Sequence, residues 1–234
     1  MPIIWHIGKL ANWHIDTMEL QLTADGSHTL YVPEIEEHYH SVNGAIQEAL
    51  HVYIEAGLNQ CKKQIINVLE FGFGAGLNAF LTLIEVEKRN LKVNYTTIEK
   101  YPLPIFVANQ LNYSKGFSEK IQTCFAKIHS CEWENFVNIS DNFQIKKVQT
   151  GFFDFKFEDK YDVIFYDAFA PDKQSDVWSQ DIFNKIFEHT NPEGILTTYC
   201  AKGNIRRMMQ TAGFLVERIP GPPGKREMLR ARKL

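Results

Sequence analysis

The chain has 234 residues, of which 44% are hydrophobic and 23% charged, and its net charge is −3. This size allows a core to form without disulfides or metals, in one large domain or in one domain with a small extension. The four cysteines include no CxxC pair, which argues against a disulfide framework and favours a reducing cytoplasm. No apolar stretch approaches the roughly 20 residues that cross a bilayer, so we expect a soluble protein without membrane contacts.

The basic side chains are concentrated at the C-terminal end of the chain. Residues 201–234 contain nine Lys or Arg and two Glu, a net charge of +7, which leaves −10 on the other 200 residues. Such an asymmetry is typical of a polyanion-binding edge on an acidic body. The alternative is a charged C-terminus that is only solvated.

The first sixty residues predict a hairpin followed by a helix. Residues 18–22 alternate in polarity, Asp25-Gly26 marks a turn, and residues 29–32 resume an extended pattern. Apolar side chains then recur at helical spacing from Asn43, which can act as the N-cap, until Gly57. We therefore treat residues 1–60 as an N-terminal extension packed on a main domain of residues 61–234, within one structural unit.

From residue 65 onward, strands alternate with helices. Apolar runs predict strands at residues 65–69, 93–98, 146–151, 162–166 and 195–199. Helical patterns occupy residues 77–88, 102–111, 180–189 and 204–212, and one more helix is expected within 119–138. Residues 215–219 and 227–232 predict a terminal antiparallel pair. The alternation is typical of an α/β fold with a mostly parallel sheet and helices on both faces.

A glycine-rich turn directly follows the first of these strands. It reads Glu70-Phe71-Gly72-Phe73-Gly74-Ala75-Gly76, and the next helix begins at Leu77. Glycines allow a tight turn and the close approach of a ligand that a Cβ atom would exclude. Because the dinucleotide fingerprint G-x-G-x-x-G would need glycine at position 77, this turn predicts a different cofactor.

Acidic side chains follow the next strands. Glu99 and Lys100 come after the second strand, where a sheet of this kind places the carboxylate that binds ribose hydroxyls. Asp154 and Phe155 follow the third strand. Each acid taken alone is more often an exposed loop residue. Acids at successive strand ends after a glycine turn nevertheless indicate one shared site.

The fourth strand of the series ends in another acid, Asp167. An apolar run at residues 163–166 leads it into the turn Ala168-Phe169-Ala170-Pro171. A lone acid at the end of a buried strand costs stability unless it binds something. Ligands of open α/β sheets bind beyond the carboxyl ends of the strands, so Asp167 is the candidate catalytic residue.

Together these motifs resemble the tRNA 5-aminomethyl-2-thiouridine methyltransferases, class I enzymes that depend on S-adenosylmethionine. The family corresponds to the methyltransferase half of the bifunctional enzyme that completes 5-methylaminomethyl-2-thiouridine at the tRNA wobble position. The resemblance covers nearly the whole chain from Leu22. Besides the glycine turn, it is carried by Tyr39-His40-Ser41-Val42-Asn43-Gly44, Asp167-Ala168-Phe169-Ala170-Pro171 and Gly224-Lys225-Arg226-Glu227-Met228.

The resemblance implies a Rossmann-like sheet of seven strands, S-adenosylmethionine as cofactor and a tRNA anticodon stem-loop as partner. Cofactor contacts are expected at Glu70, Gly72, Gly74, Gly76, Glu99, Lys100, Asp154, Phe155, Asn43 and Glu48. Substrate and tRNA contacts are expected at Phe169, Pro171, Trp178, Arg206, Arg207, Lys225 and Arg226. Asp167 would orient the substrate amine, since its ordinary pKa of about 3.9 makes it a poor base unless burial raises that pKa.

Trp178 has two interpretations. Its ring can stack on an unstacked wobble base, as is usual for proteins that bind single-stranded RNA, or it can be a buried core ring. His38 and His40 form an H-x-H pair, but two ligands do not make a zinc site, so no metal is expected.

Two other functions remain open. Aminopropyltransferases of the spermidine synthase type share the fold and the acid after strand four, but they need no basic C-terminal end. A non-catalytic RNA-binding module is the second rival, and the set of acids argues against it. Because no second cofactor fingerprint is present, the resemblance implies a transferase that relies on other enzymes for its aminomethyl substrate.

Overall fold

A computed structural model of the chain describes residues 3–6 and 17–234. The N-terminal strands form one antiparallel sheet in sequence order: β1 (Ile3–His6), β2 (Thr17–Leu22), β3 (His28–Val32) and β4 (Glu37–His38). Strands β2 and β3 confirm the predicted hairpin around Gly26. Within the predicted N-terminal extension, residues 1, 2 and 7–16 lie outside the described residues.

The predicted helix after Asn43 begins at a different residue and changes type. Helix α1 (Ala45–Ala49) has Gly44 at its N-cap and continues as a π-helix over Leu50–Glu55. Asn43 is not the cap, because the hairpin turn supplies the acceptors: Asp25 Oδ2 accepts from the Gln47 N–H at 2.9 Å. The π-helical turn is of the kind often found at functional sites, and it brings Tyr53 into the core.

The main sheet contains eight strands in the order β11-β12-β10-β9-β5-β6-β8-β7. Their bounds are β5 (Ile65–Phe71), β6 (Lys92–Ile98), β7 (Phe136–Asn138), β8 (Phe143–Val148), β9 (Tyr161–Tyr166), β10 (Thr190–Thr198), β11 (Leu215–Pro220) and β12 (Glu227–Arg232). Strand β5 lies in the middle and pairs in parallel with β6 and β9. The parallel pairing and the terminal antiparallel pair β11–β12 confirm the predicted class.

The eighth strand is the difference from the predicted seven. It is β7, three partly exposed residues that pair antiparallel with β8 at the edge of the sheet. A strand this short has too few alternating positions to be recognised by periodicity. Strand β8 also begins and ends earlier than the predicted residues 146–151, because the turn toward Asp154 starts directly after Val148.

Helices cover both faces of the main sheet. They are α2 (Leu77–Arg89), α3 (Ile105–Ala108), α4 (Glu119–Ser130), α5 (Gln180–Glu188) and α6 (Gly203–Ala212). Side chains of α2, α4 and the π-helix pack on one face, and those of α5 and α6 pack on the other. The predicted helix at 102–111 shrinks to α3, since Pro104 occupies its N-cap and proline disfavours helical backbone in the residue before it.

The parallel pairing brings the carboxyl ends of β5, β6 and β9 to one edge. Phe71 lies opposite Ile98 on one side and Tyr166 on the other. The residues that follow these three strands are therefore neighbours in space, as the sequence predicts. Among the described helices, none is long and apolar enough to cross a membrane.

Candidate active site

A cavity of about 500 Å³ opens at this edge of the sheet. Its lining includes five of the predicted cofactor residues, Glu48, Gly72, Glu99, Lys100 and Asp154, together with Asp167. Segment 37–42, from β4 toward α1, also lines the cavity, as do Tyr199 and Lys225. The structure thus brings the candidate catalytic acid and half of the ten cofactor candidates into one cavity.

The glycine turn allows the chain to pass directly against Asp167. Gly72 has φ +95°, and a Cβ atom placed on it would lie 2.4 Å from the Asp167 carbonyl oxygen. Both Gly72 and Phe73 donate their N–H groups to the Ile98 carbonyl, which fixes the turn on β6. A larger residue at position 72 would displace the backbone of the catalytic acid. Gly74 and Gly76 shape the same turn but do not line the cavity.

Glu99 is held in place by backbone donors. Its Oε2 accepts from the Gly74 N–H at 3.0 Å, and its Oε1 accepts from the Tyr101 N–H at 2.8 Å. Burial raises the pKa of this carboxyl, while the backbone N–H groups act against that rise. Each carboxylate oxygen keeps acceptor capacity for a further donor. The group is therefore a rigid acceptor that suits the two hydroxyls of a ribose.

The neighbouring loop supplies aromatic rings and a second acid. Asp154 is exposed at the cavity lining, and Gly151, Phe152 and Phe153 line the cavity beside it. Phe155, a predicted cofactor contact, is instead buried against Phe71 and does not line this cavity. The aromatic surface available to a flat base therefore comes from Phe152 and Phe153. A cofactor contact of Phe155 stays a prediction, and Phe152 and Phe153 are the rings of this loop that line the cavity.

Glu70 was predicted as a cofactor contact, but it does not reach the cavity. Its side chain is fully buried on β5, and its Oε2 accepts from the Thr97 hydroxyl at 2.6 Å. Burial raises the pKa of Glu70 to about 8, with the Asp167 charge acting in the same direction. The alternation of side chains along a strand turns this residue away from the strand end and into the core.

Asp167 is anchored at the deep end of the cavity. Its N–H donates to the Phe71 carbonyl at 3.0 Å, and its Oδ2 accepts from Asn78 Nδ2 at 2.8 Å. The Tyr53 hydroxyl, from the π-helix, faces the Asp167 carboxyl and lowers the pKa of Asp167. The distance and angle between the two groups do not meet the geometry of a normal hydrogen bond. Burial is the larger effect and raises the pKa of Asp167 to about 6.

The sequence motifs did not predict two of these partners of Asp167, Asn78 and Tyr53. Asn78 interrupts an apolar run at the start of α2, and a lone amide in such a run is the signal that would have found it. Tyr53 looks like an ordinary apolar position of a helix. Only its hydroxyl, which has no partner within hydrogen-bond geometry, distinguishes it from a core ring.

Lys225 forms part of the cavity wall. Its Nζ lies 2.5 Å from Glu48 Oε1 and 4.0 Å from the centre of the Tyr199 ring. Glu48 is buried, and its other oxygen accepts from the Ser41 N–H at 2.8 Å. The charge of Lys225 is therefore committed to Glu48, and the predicted phosphate contact does not fit this position. Asn43 lies outside the cavity, against Gly224.

The turn after Asp167 separates into a cavity side and a core side. Phe169 lines the cavity and meets the Tyr39 ring edge-on at 5.4 Å, and Pro171 follows it at the partly exposed rim. Trp178 is buried: its indole N–H donates to the Phe169 carbonyl at 2.8 Å, and its ring packs on Tyr166. The structure therefore favours the core interpretation of Trp178, in which the ring supports the turn.

Much of the basic charge at the C-terminal end is paired with acids. Ion pairs join Arg218 to Glu227, Arg230 to Glu217, and Lys202 to Asp172. Of the predicted tRNA contacts, Arg207 and Arg226 are exposed and Arg206 is partly buried. The net charge of this region thus overstates what a polyanion would meet. Arg207 and Arg226 are the exposed candidates.

The two histidines of the H-x-H pair lie at the cavity wall. Burial lowers the pKa of His40 to about 4, so it is neutral at physiological pH, and His38 contacts Gln21 at 3.1 Å. Within the part of the chain that the structure describes, no three His, Cys, Asp or Glu side chains come together in a way that could hold a metal ion.

Comparisons with known proteins agree with this geometry. A family model described as S-adenosyl-L-methionine-dependent methyltransferase matches residues 111–234. The solved structure of MnmC2 from Aquifex aeolicus is 25% identical, with a TM-score of 0.73, and the match covers 92% of this chain and 70% of that chain. Spermidine synthase from Thermotoga maritima matches with a TM-score of 0.61 over 96% of this chain and 72% of its own, but at 13% identity this likeness shows the fold alone.

The family match extends over more than half of the chain, and it confirms both the predicted fold and S-adenosylmethionine as the cofactor. The resemblance stated from the sequence motifs is confirmed as well. The chain belongs to the MnmC-like family of S-adenosyl-L-methionine-dependent methyltransferases.

Proposed function

We propose that this methyltransferase acts on the primary amine of 5-aminomethyluridine, with or without a 2-thio group, at the wobble position of tRNA. The product would be the corresponding 5-methylaminomethyluridine. The observation that carries the proposal is the placement of Asp167, whose carboxyl has a pKa of about 6, in the same cavity as the cofactor-side acid Glu99. Membership of the MnmC-like family supports the choice of substrate.

The cavity residues fit S-adenosylmethionine. Glu99 offers a fixed acceptor to the ribose hydroxyls, and Asp154 with Phe152 and Phe153 offers an acid and two rings to the adenine. Because Gly72 has no Cβ atom, the turn can pass directly against the Asp167 backbone at the cavity lining. When bound, the cofactor supplies an electrophilic methyl group on a sulfonium sulfur.

Asp167 would prepare the amine for attack. An alkylamine is protonated at neutral pH, so it must lose a proton to water before its nitrogen lone pair can form the new N–C bond as the S–C bond breaks. A carboxylate that accepts one N–H of the amine holds the lone pair in line with the methyl carbon, and positioning of this kind can supply about 7 kcal/mol or more. With a pKa near 6, Asp167 is also a better proton acceptor than an ordinary aspartate.

The N-terminal extension has a role in this proposal. Residues up to 60 supply Tyr53, which faces Asp167, and Glu48, which binds Lys225 in the cavity wall. We infer that this extension belongs to the catalytic unit and forms one wall of the cavity, with Tyr39 packed against Gly74 of the glycine turn. The division at residue 60 then separates two parts that build one site.

The tRNA would approach over the partly exposed rim of the cavity. Phe169 and Pro171 shape this rim, and the exposed Arg207 and Arg226 are suited to backbone phosphates. Such contacts position an RNA without reading its sequence. Since tRNA modification of this kind takes place in the cytoplasm, we place the protein there, downstream of enzymes that make the aminomethyl precursor.

The proposal is tested with labelled S-adenosylmethionine and tRNA that lacks the final methyl group. After incubation the tRNA is digested to nucleosides, and we expect the label in 5-methylaminomethyluridine or its 2-thio form. Asp167→Asn is the matched control, because it keeps the size of the side chain and removes the carboxylate. Label in a different nucleoside would refute the substrate assignment.

Two further arms address the rivals. In one, decarboxylated S-adenosylmethionine and putrescine replace the substrates, and formation of spermidine would support an aminopropyltransferase. In the other, RNA binding is measured without turnover. Tight binding with no methyl transfer under any condition would support the non-catalytic module.

A further inference from the structure

Three polar side chains lead from the core to the cavity: Glu70, Asn78 and Asp167. Glu70 and Asn78 are buried, on β5 and in the first turn of α2, and Asp167 faces the cavity. Asn78 Nδ2 donates to Asp167 Oδ2 at 2.8 Å. The Asn78 side chain also lies close enough to the Glu70 carboxyl to affect its pKa by hydrogen bonding. One amide thus stands between two carboxyl groups.

The hydrogen bonds around this amide leave two buried oxygens without a partner, Glu70 Oε1 and Asn78 Oδ1. The other Glu70 oxygen is already satisfied by Thr97. If Glu70 were ionised, both atoms would be acceptors only, and the buried Tyr95 hydroxyl, which also has no partner, could donate to just one of them; buried acceptors without donors are rare in folded proteins. A proton on Oε1 makes Glu70 a donor, and the free acceptor on the adjoining side chain is Asn78 Oδ1.

The orientation of the amide decides which carboxyl carries the proton. With Nδ2 toward Asp167, as the structure has it, Asp167 can be ionised and Glu70 is the acid that needs a proton. With the amide reversed, Oδ1 would face Asp167, and Asp167 would have to be protonated. Only the first arrangement leaves Asp167 able to accept an N–H from an amine.

The surroundings of Glu70 favour its neutral form. Burial and the negative Asp167 raise its pKa, the Thr97, Asn78 and Tyr95 side chains act against that rise, and none of the groups that face it is a cation. Asp167, in contrast, faces Tyr53, Asn78, Glu48 and the positive Lys225. Of the two carboxyls, the one with a cation nearby is the one that faces the cavity.

We propose that Glu70 is held as the neutral acid and is a positioning residue, whose proton fixes Asn78 so that Asn78 holds Asp167 ionised for the substrate amine. The proton stays on Glu70 throughout the reaction, and no bond to it is formed or broken. This role replaces the cofactor contact that the sequence predicted for Glu70. Its kinetic consequences rest on the proposed function, whereas the protonation state of Glu70 does not.

The first test measures that protonation state without any substrate. The protein is labelled with ¹³C at its glutamate side-chain carboxyls, and the Glu70 signal is identified by its absence in Glu70→Gln. We expect this carboxyl to remain protonated at pH 7 and to titrate near pH 8. A Glu70 signal that titrates at or below the ordinary value of about 4.3 would overturn the proposal, whatever the enzyme methylates.

The second test uses the pH dependence of the methyl-transfer rate. Ionisation of Glu70 above about pH 8 removes the donor to Asn78, so the wild-type rate should fall there, although amine deprotonation alone would raise it. Glu70→Gln keeps a donor and an acceptor at the same place and cannot ionise. We expect the rate of Glu70→Gln to show no alkaline decline. At pH 7 we expect Glu70→Ala to lose about tenfold in rate, and Glu70→Gln to keep most of the wild-type rate.

Affinity for S-adenosylhomocysteine separates this role from a cofactor contact. We expect the dissociation constant of Glu70→Gln to stay within about twofold of wild type, and a tenfold loss would return Glu70 to the cofactor site. Asp162→Asn is the matched control, because Asp162 is equally buried but is bound by Lys63 at 2.6 Å. Loss of its charge should destabilise the fold without changing the pH profile. An alkaline decline that persists in Glu70→Gln would contradict the proposal.

Discussion

The two ends of the cavity are built in different ways. At the cofactor end, Glu99 is held by the N–H groups of Gly74 and Tyr101, and all three residues lie in turns that directly follow parallel strands. At the amine end, Asp167 meets Asn78 from α2 and Tyr53 from the π-helix, while Glu48 binds Lys225, which lies 177 residues further along the chain. The first end is built from the turns after two adjacent parallel strands, 25 residues apart, and the second from elements that are distant in sequence.

This difference separates what each end does. A rigid, backbone-held carboxylate suits a ligand that is the same in every turnover, such as S-adenosylmethionine. The amine end instead adjusts a proton affinity, because the pKa of Asp167 is raised by burial and lowered by Asn78 and Tyr53. Changes at the cofactor end should therefore alter binding, and changes at the amine end should alter turnover.

The largest expected effect comes from Asp167→Asn. The amide cannot accept the amine proton, and it presents an N–H₂ group to Asn78 or to the substrate, so we expect kcat to fall by about 10²- to 10⁴-fold. Affinity for S-adenosylhomocysteine, measured by calorimetry, should change little. In the wild type, the ionisation of Asp167 should contribute a separate rise in kcat centred near pH 6. Near-normal turnover in the variant would remove Asp167 from the mechanism.

Glu99→Gln is the corresponding change at the cofactor end. A glutamine must turn its N–H₂ group toward either Gly74 N–H or Tyr101 N–H, and it also loses charge-assisted bonds to the ribose. We expect the dissociation constant for S-adenosylmethionine to rise about 100-fold, with kcat at saturation nearly unchanged. If kcat fell and affinity did not, the division of labour between the two ends would be wrong.

The same division explains how far the sequence could predict the site. The glycine turn, Glu99, Asp154 and Asp167 follow strand ends, and parallel pairing alone brings those ends together. Phe155 and Glu70 are buried and do not line the cavity, because one-residue differences in a turn or along a strand send a side chain to the opposite side. The sheet was predicted except for β7, which is too short to show a period.

The amine end could not be predicted in this way. Nothing in the local sequence of Lys225 shows that Glu48 neutralises it, and a net charge of +7 over residues 201–234 counts paired and free cations alike. The apolar residues around Tyr53 recur at the spacing of an ordinary α-helix, so the sequence pattern does not predict the π-helix that forms there. Long-range pairing of charges and helix type both depend on tertiary contacts.

Lys225→Ala and Arg226→Ala test adjacent cations with different roles. Lys225→Ala leaves Glu48 buried without its cation, so we expect the free energy of unfolding to fall by about 2 kcal/mol in chemical denaturation. This is less than for a fully buried pair, because the Lys225 side chain is 34% exposed. Arg226→Ala should leave stability unchanged, weaken tRNA binding and reduce its salt slope by about 1. Equal effects of both variants on the salt slope would return Lys225 to the phosphate-binding surface.

The smallest expected effect is a pH dependence of stability that arises behind the amine end. Glu70 has a pKa of about 8 in the folded protein and about 4.3 when unfolded, so between these values the folded state binds the extra proton. Stability is therefore lost as pH rises toward 8. Asp167 contributes to the same loss of stability, but only up to about pH 6. Burial lowers the pKa of His40 and of His129 to about 4. Below pH 6.5 these two histidines therefore make the fold more stable as the pH rises.

The interval from pH 6.5 to 8 therefore isolates Glu70 from Asp167 and from these two histidines. Across it we expect the free energy of unfolding to fall by about 1–2 kcal/mol in the wild type, from about 1.4 kcal/mol per pH unit for one proton. Glu70→Gln should abolish this decline, since an amide has no proton to lose, while Asp162→Asn should keep the slope and lower the whole curve. A wild-type curve that is flat over this interval would mean that Glu70 is already ionised in the folded protein, and that Asn78 holds Asp167 without its help.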